Sequence, residues 1–200
     1  MFNILSLWKN SRQRLLAALL CLLATLSQIP NHLAYATERG PYQASGVTFS
    51  ISVRTPEQIR AFYTGRGFPE AAIRELESKC LLTVGIQNNR MEIVWLEPEK
   101  WRFVTESGAA VTRTSREEWT WRWAKLDIPL ASRATFGWTQ LPESRDLYHG
   151  ETAGGNIVMT PPAEPFSVEA IFDTGADKKG TPVTITTGML KCAPPAGKLK

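Results

Sequence analysis

The stretch Gly46-Val-Thr-Phe-Ser-Ile-Ser-Val53 alternates apolar and polar side chains without a break. Successive side chains of a β-strand point to opposite faces, so this period of two predicts a strand with one buried face. Val47, Phe49, Ile51 and Val53 would form that face, and a half-apolar strand needs a second layer of structure to cover it. The stretch therefore predicts a layered fold that is rich in β-structure.

Further short segments of strand character lie along the chain, bounded by Gly, Pro or Asn residues that favour turns. The first two of them, 81–86 and 91–96, are predicted to form a hairpin through the turn Gln87-Asn-Asn-Arg90. Seven or eight short strands separated by turns indicate a mainly β protein, specifically a β-sandwich. The further segments are 81–86, 91–96, 101–105, 134–141, 156–159, 166–172 and 182–187.

Residues 55–80 interrupt this pattern with a helical period. Thr55-Pro-Glu-Gln58 supplies a capping residue, a proline at the first helical position and a glutamine at the third. A second helix is predicted to start at Pro69-Glu70, after the glycines Gly65 and Gly67. The segment is therefore predicted to be a helical hairpin inserted between the first two strands.

Residues 115–126 fit two structures. As a strand, the segment would align Trp119, Trp121 and Trp123 on one face, an aromatic platform on which sugars or bases stack. As a helix, it would bury Trp119, Trp123 and Leu126 on one stripe and expose Trp121. The sequence therefore leaves a carbohydrate or cell-wall binder as an alternative function, based on this Trp-rich surface.

The helix satisfies more independent rules than the strand does. Ser115 and Glu118 have the spacing of a capping box, and Glu118 and Arg122 have the spacing of a helical ion pair. We therefore expect one further helix at 115–126, outside the helical hairpin.

The first 36 residues have the order of a secretory signal peptide. They contain basic residues and no acidic one, then an apolar run at 15–26, then Ala34-Tyr-Ala36. The run is too short for a membrane-spanning helix, which needs roughly 20 residues. Cleavage is predicted between Ala36 and Thr37, with export to the periplasm or the exterior of a bacterial cell and no transmembrane span afterwards.

The net charge of +4 arises mostly from this N-terminal segment, because residues 37–200 hold 20 basic and 19 acidic residues. This balance is no argument for binding nucleic acid, and no such partner is predicted. The remaining chain is divided into a flexible lead at 37–45, a single β-sandwich domain at 46–192 and a flexible tail at 193–200.

Cysteine usage agrees with export. Cys21 would leave with the signal peptide, so the mature chain would keep Cys80 and Cys192. Two cysteines in an oxidising compartment most often pair. We predict a disulfide between them.

Two parts of the chain resemble a known class of domain. Leu82-Thr-Val-Gly-Ile-Gln-Asn88 followed by Ile93-Val-Trp-Leu96 is similar to the opening of small secreted bacterial immunoglobulin-like domains of unknown function, and 147–158 resembles their later segment. The resemblance implies an immunoglobulin-like β-sandwich and a bias against catalysis. It carries over no site residues, and the helical hairpin would be an insertion.

One motif suggests catalysis. Ala170-Ile-Phe-Asp-Thr-Gly-Ala-Asp177 resembles the active-site signature of retroviral-type aspartic proteases, in which Asp173 would be catalytic. That chemistry needs two such aspartates sharing a proton, and only 27 residues follow Asp173. A hairpin loop explains the motif better, so an aspartic-type hydrolase is kept only as a second alternative.

No metal, cofactor or catalytic residue is predicted. His149 is the single histidine of residues 37–200 and has no clustered partner of metal-ligand spacing. Arginines beside aromatic rings can anchor an interface, so Trp121, Arg122, Arg145 and His149 are the candidate interaction surface. We expect an exported binding or accessory module without catalytic activity, whose partner is an unidentified macromolecule.

Overall fold

The computed structural model describes residues 38–194, which belong to one compact unit. The predicted signal peptide, its cleavage point between Ala36 and Thr37, and residues 195–200 of the predicted tail lie outside the described residues. The signal peptide, its cleavage point and the tail at 195–200 therefore remain predictions from the sequence.

Nine strands form two antiparallel sheets within residues 38–194. The strands are β1 (Glu38–Ala44), β2 (Val47–Val53), β3 (Cys80–Asn88), β4 (Val94–Leu96), β5 (Arg102–Thr105), β6 (Arg145–Leu147), β7 (Thr152–Met159), β8 (Phe166–Thr174) and β9 (Val183–Thr186). The first sheet has the order β1-β2-β3-β7. The second has the order β5-β8-β4-β6, with β9 also paired to β8.

The two sheets share one core, as the alternation in β2 predicts. Its four apolar residues are at most 4% exposed, while the serines and threonine between them are partly exposed. The ring of Phe49 lies 5.5 Å from that of Trp101 and 6.3 Å from that of Phe172 on β8. The prediction of a mainly β protein with sandwich-like sheets is confirmed.

Four α-helices and one short 3₁₀-helix complete the described fold. The α-helices are α1 (Pro56–Thr64), α2 (Glu70–Glu77), α3 (Arg116–Lys125) and α4 (Leu130–Thr139); the 3₁₀-helix spans Pro98–Lys100. The predicted start of α1 is confirmed, because the Thr55 side chain accepts from the Gln58 amide and the Gln58 side chain accepts from the Thr55 amide. The helical hairpin at 55–80 is therefore present.

The helices bury a second core against the first sheet. Leu81 of β3 and Val158 of β7 face each other across paired strands and pack with apolar residues of all four helices. At this end the sheet is covered on both faces, which accounts for the consecutive apolar residues at the start of β3. The inserted helical hairpin is thus half of a helical layer that α3 and α4 complete.

The predicted strand at 134–141 is wrong, because this stretch belongs mostly to α4. Phe136 of α4 lies in the second core, with its ring 5.1 Å from the rings of Trp119 and of Trp123. In a strand Trp138 would share a face with Phe136, but on α4 it is 86% exposed. A helix forms here because Phe136 packs against α3. This contact joins distant residues, so the local sequence pattern does not encode it.

The predicted flexible lead at 37–45 is also wrong. Residues 38–44 form β1, which pairs with β2 in the register Ala44↔Val47. The two residues between these strands, Ser45 and Gly46, have φ values of 43° and 79°. Two positive φ values suit the tight hairpin turns that match strand twist, so Ser45-Gly46 is a local signal for a hairpin that the prediction of a flexible lead overlooked.

The predicted hairpin through residues 87–90 does not form. β3 pairs with β2 and β7, whereas β4 pairs with β6 and β8 in the other sheet. The chain therefore crosses from one sheet to the other at Asn88, which is fully buried. Its side-chain amide donates to the carbonyls of Glu92 and Leu147, both at 2.8 Å, and this bonding holds the crossing.

Gly155 of β7 is required by close approach of another segment. A Cβ at this position would lie 2.4 Å from the Leu141 nitrogen and 2.6 Å from the Gln140 carbonyl carbon. We expect Gly155→Ala to lower the free energy of unfolding by about 2 kcal/mol, because backbone must move to admit the methyl group. Urea denaturation followed by circular dichroism measures the loss.

Gly137 of α4 provides the matched control. A Cβ there would meet no heavy atom within 4 Å, and alanine favours a helix interior over glycine by about 0.5–1 kcal/mol. Gly137→Ala should therefore stabilise the protein. Equal effects of the two substitutions would contradict the steric role of Gly155.

Candidate functional site

The candidate site is a groove of about 410 Å³ between α1, α4 and the outer face of the first sheet. It is called the α1–α4 groove below. Its volume lies in the range of small-molecule binding sites. The groove is lined by Arg54, Gln58, Ile59, Phe62, Tyr63, Leu81, Thr83, Trp138, Thr139, Gly155 and Asn156.

Two exposed aromatic rings lie at this groove. Trp138 of α4 is 86% exposed and Phe62 of α1 is 37% exposed. The Arg66 guanidinium stacks 3.5 Å from the centre of the Phe62 ring. Large apolar side chains exposed beside a cavity are typical of binding sites, because a ligand can cover them and exclude water.

Polar side chains on adjacent strands give the groove a pre-organised wall. The Arg54 Nε donates to Thr83 Oγ1 at 2.8 Å, and Thr83 Oγ1 donates to Asn156 Oδ1 at 2.9 Å. Thr83 and Asn156 are register partners in β3 and β7. Because each side chain is held by the next, binding a ligand would cost little ordering of the wall.

The charge of the groove is positive. Arg54 is its one charged lining residue, and among residues 40–194, whose side chains the structure describes, no ion pair involves Arg54. A guanidinium without a carboxylate partner is a good site for an anion or a strong hydrogen-bond acceptor.

Tyr63 stays neutral in this groove. Its side chain is 1% exposed and its hydroxyl lies 3.3 Å from Thr139 Oγ1. Burial raises the pKa of the Tyr63 phenol above its ordinary value, outweighing hydrogen bonds that lower it. At physiological pH the phenol therefore contributes a hydrogen-bonding group and no charge, so Tyr63 does not oppose the charge of Arg54.

The structure places the four predicted interaction residues in two separate places. Trp121, 60% exposed, and Arg122 lie on α3 in the helical layer, where Arg122 bonds to Glu118. Arg145 lies on β6 of the second sheet, and His149 follows that strand. None of the four lines the α1–α4 groove, and their use as an interaction surface stays a prediction.

The three-tryptophan platform is excluded. Trp119 and Trp123 are 3% and 2% exposed, and their rings stack with centres 4.7 Å apart. The Ser115 side chain accepts from the Glu118 amide at the start of α3, as the helical interpretation predicts. The helix is confirmed, and only Trp121 of the three tryptophans is accessible. The expected burial of Leu126 is wrong: the helix ends at Lys125, and Leu126 is 42% exposed.

The side chains of the other two candidates, Asp173 and His149, each contact another residue of the fold. Asp173 lies near the end of β8, in the predicted hairpin with β9, and its carboxylate pairs with Lys100. The His149 Nδ1 lies 3.0 Å from the Arg90 carbonyl oxygen. Among residues 38–194 no group of three or more His, Cys, Asp or Glu side chains is placed to hold a metal ion.

The predicted disulfide is confirmed. Cys80, at the start of β3, is bonded to Cys192, with the two Cα atoms 5.4 Å apart. It closes a sequence separation of 112 residues and links the first sheet to the C-terminal end of the described chain.

Comparisons with protein-family models, with curated proteins and with solved structures find no match. In the part of the chain that the structure describes, no helix is both long and apolar enough to cross a membrane.

Sequence reasoning missed the α1–α4 groove. Its lining comes from four elements far apart in the chain, and Trp138 was assigned to a strand that does not exist. The one available signal was Arg54, a cation directly after an apolar-alternating strand. Arg54 alone does not indicate a binding site, because Trp138 is brought to the same groove only by the tertiary structure.

Proposed function

We propose that the protein is an exported binding module and that the α1–α4 groove holds its ligand, an acidic carbohydrate chain. The observation that carries this proposal is one exposed tryptophan, Trp138, in the same groove as Arg54, a cation with no carboxylate partner among the side chains of residues 40–194. The macromolecular partner expected from the sequence would then be an acidic glycan.

Carbohydrate chemistry matches the lining of the groove. The C–H face of a pyranose ring is flat and apolar and stacks on exposed aromatic rings such as those of Trp138 and Phe62. Its hydroxyl groups both donate and accept, which suits neutral side chains such as Gln58, Thr139 and Asn156. A carboxylate on the sugar would face Arg54 and form a charge-assisted hydrogen bond.

Export and fold family form part of the same proposal. The Cys80–Cys192 disulfide supports an oxidising compartment, the periplasm or the exterior. Two antiparallel sheets with a shared core support an immunoglobulin-like sandwich to which the helical layer is added. A binding role on such a scaffold needs no catalytic group.

Calorimetric titration with a glucuronate-containing oligosaccharide and with its uncharged glucose counterpart tests the proposal. We expect the charged chain to bind more tightly. Trp138→Ala should weaken binding of both by about tenfold or more, because the stacking face is lost. Arg54→Gln should remove the preference for the charged chain, because only the cation distinguishes the two ligands.

Trp121→Ala is the matched control. Trp121 is also an exposed tryptophan on a helix, but it does not line the groove, so its loss should leave both affinities unchanged. Binding that survives Trp138→Ala and fails in Trp121→Ala would move the site to α3. If neither oligosaccharide gives a heat of binding, the carbohydrate proposal is wrong.

A further inference from the structure

Exposed apolar side chains are concentrated on the helical layer. Five of the eight large hydrophobic side chains that are exposed among the described residues lie on its helices or in the turn between α3 and α4. Exposed apolar surface that is grouped in one part of a fold marks a site at which the protein meets another protein or a membrane. The five residues are Phe62, Trp121, Leu126, Leu130 and Trp138.

The outer face of α4 carries an apolar stripe. Leu130, Ala134 and Trp138 follow one another at intervals of four residues, so they share one side of the helix. Leu130 is 78% exposed and Trp138 is 86% exposed, and Ala134 between them is also exposed. The outer side of a helix in a globular protein is normally polar. These three residues, called the α4 stripe below, are therefore an apolar face in contact with water.

The α4 stripe is continuous with the α1–α4 groove and extends beyond it. Trp138 lines the groove, whereas Leu130 and Ala134 do not. The eight residues from Leu130 to Trp138 rise about 12 Å along a helix. A ligand held in the groove would therefore cover Trp138 and leave the rest of the stripe exposed.

The charges beside the stripe are mainly positive. α4 contains one charged residue, Arg133, and no acidic one. Arg54 is the charged residue of the groove, and the Arg66 guanidinium stacks 3.5 Å from the centre of the Phe62 ring, which also lines it. Asp127 lies in the turn before α4. Three cations against one carboxylate suit an anionic surface, whereas the same face of a second copy would be repelled.

We propose that the α4 stripe is a membrane-docking surface, which lies against the anionic face of a phospholipid bilayer. Leu130 and Trp138 would enter the headgroup region, where tryptophan is favoured because its ring is apolar and its indole N–H is polar. The arginines would bond to lipid phosphates. This inference goes beyond the proposed binding of an acidic glycan and does not rest on it. Because Trp138 belongs to both surfaces, docking would bring the groove to the level of the headgroups.

Sedimentation of the full chain with phospholipid vesicles tests the proposal. Vesicles of equal parts phosphatidylglycerol and phosphatidylcholine are compared with vesicles of phosphatidylcholine alone. We expect binding to the anionic vesicles to be about tenfold tighter or more, because the cations beside the stripe are attracted to their surface. Added salt should reduce this preference, because it screens charges that are exposed to solvent.

Two substitutions that each add one carboxylate locate the surface. Ala134→Glu places it in the middle of the α4 stripe, at an exposed position where glutamate is a good helix former. It should weaken binding to anionic vesicles about tenfold or more, because the carboxylate is repelled by the lipid and disfavoured in an apolar contact. Met91→Glu is the matched control, since Met91 is 84% exposed between β3 and β4, outside the helical layer. All variants carry the same N-terminal residues, so a difference between them belongs to the substituted position.

Leu130→Gln separates membrane docking from glycan binding. Leu130 does not line the α1–α4 groove, so its loss should weaken vesicle binding and leave the affinity for the glucuronate-containing oligosaccharide unchanged. Vesicle binding without oligosaccharide binding would support the docking surface and overturn only the proposed function. Oligosaccharide binding without vesicle binding would do the reverse.

Three further results would overturn the docking proposal. Ala134→Glu might bind anionic vesicles as tightly as Met91→Glu does, which would place any membrane contact away from α4. Equal binding to both kinds of vesicle would remove the role of the arginines, on which the choice of a membrane over a second copy rests. A dimer in sedimentation velocity that Ala134→Glu dissociates, with no vesicle binding, would show that a second copy covers the stripe. The comparison of the two vesicles with the unsubstituted protein is decisive even where a variant fails to fold.

Discussion

Loss of the Cys80–Cys192 disulfide should lower the free energy of unfolding by about 4–5 kcal/mol, the largest effect expected of any change described here. The bond closes a sequence separation of 112 residues. In the chain-entropy model, a cross-link stabilises by restricting the unfolded chain, and the restriction grows with the length of the closed loop. Urea denaturation with and without a reducing agent measures the difference on an unchanged sequence.

Cysteine substitutions separate the cross-link from local packing. Cys80 is buried in the core between the sheets and Cys192 packs against that core, so each substitution also changes contacts. If the cross-link dominates, Cys80→Ala, Cys192→Ala and the double variant should lose nearly the same stability, because either one breaks the bond. Losses that add would show that packing dominates instead.

Asn88→Ala is expected to cost about 3 kcal/mol, because it removes three hydrogen bonds, and the buried carbonyl of Leu147 loses this donor. The Asn88 amide donates to the carbonyls of Glu92 and Leu147, and its Oδ1 accepts from the Arg90 amide, each at 2.8 Å. Asn88 and Leu147 are both fully buried, so water cannot replace the bond between them. The midpoint of urea denaturation and its slope give the loss.

Asn89→Ala is the control for that substitution. Asn89 is the same residue type one position later, is exposed, and makes a single side-chain hydrogen bond, to Thr48 Oγ1 at 3.1 Å. Its loss should cost about 0.5 kcal/mol or less, as is usual on a surface. Similar losses at the two positions would contradict the assignment of Asn88 as the residue that holds the crossing between sheets.

The two changes affect connected parts of the fold. The disulfide links the start of β3 to the C-terminal segment, and Asn88 stabilises the end of β3, where the chain enters the second sheet. β3 lies between β2 and β7 in the first sheet, and it contributes to the cores on both faces. Both substitutions should therefore destabilise the whole unit and not one edge of it.

Local patterns were sufficient for much of the fold. The alternation in β2, the capped start of α1 and the helical stripe of Trp119 and Trp123 all depend on residues within a few positions of each other. The Cys80–Cys192 pairing followed from counting, because removal of the signal peptide would leave only two cysteines. The strand and the two helices were predictable because local chemistry determines them, and the disulfide was predictable because only one pairing of two cysteines exists.

The tertiary structure decided the features that depend on distant residues. Residues 130–139 form α4 because Phe136 packs on α3, and β3 and β4 separate because they find different partners in the two sheets. The α1–α4 groove exists only where α4 lies beside α1. Burial of apolar surface selects such arrangements among many that the local pattern allows, and the positions of Arg54 and Trp138 follow from that selection.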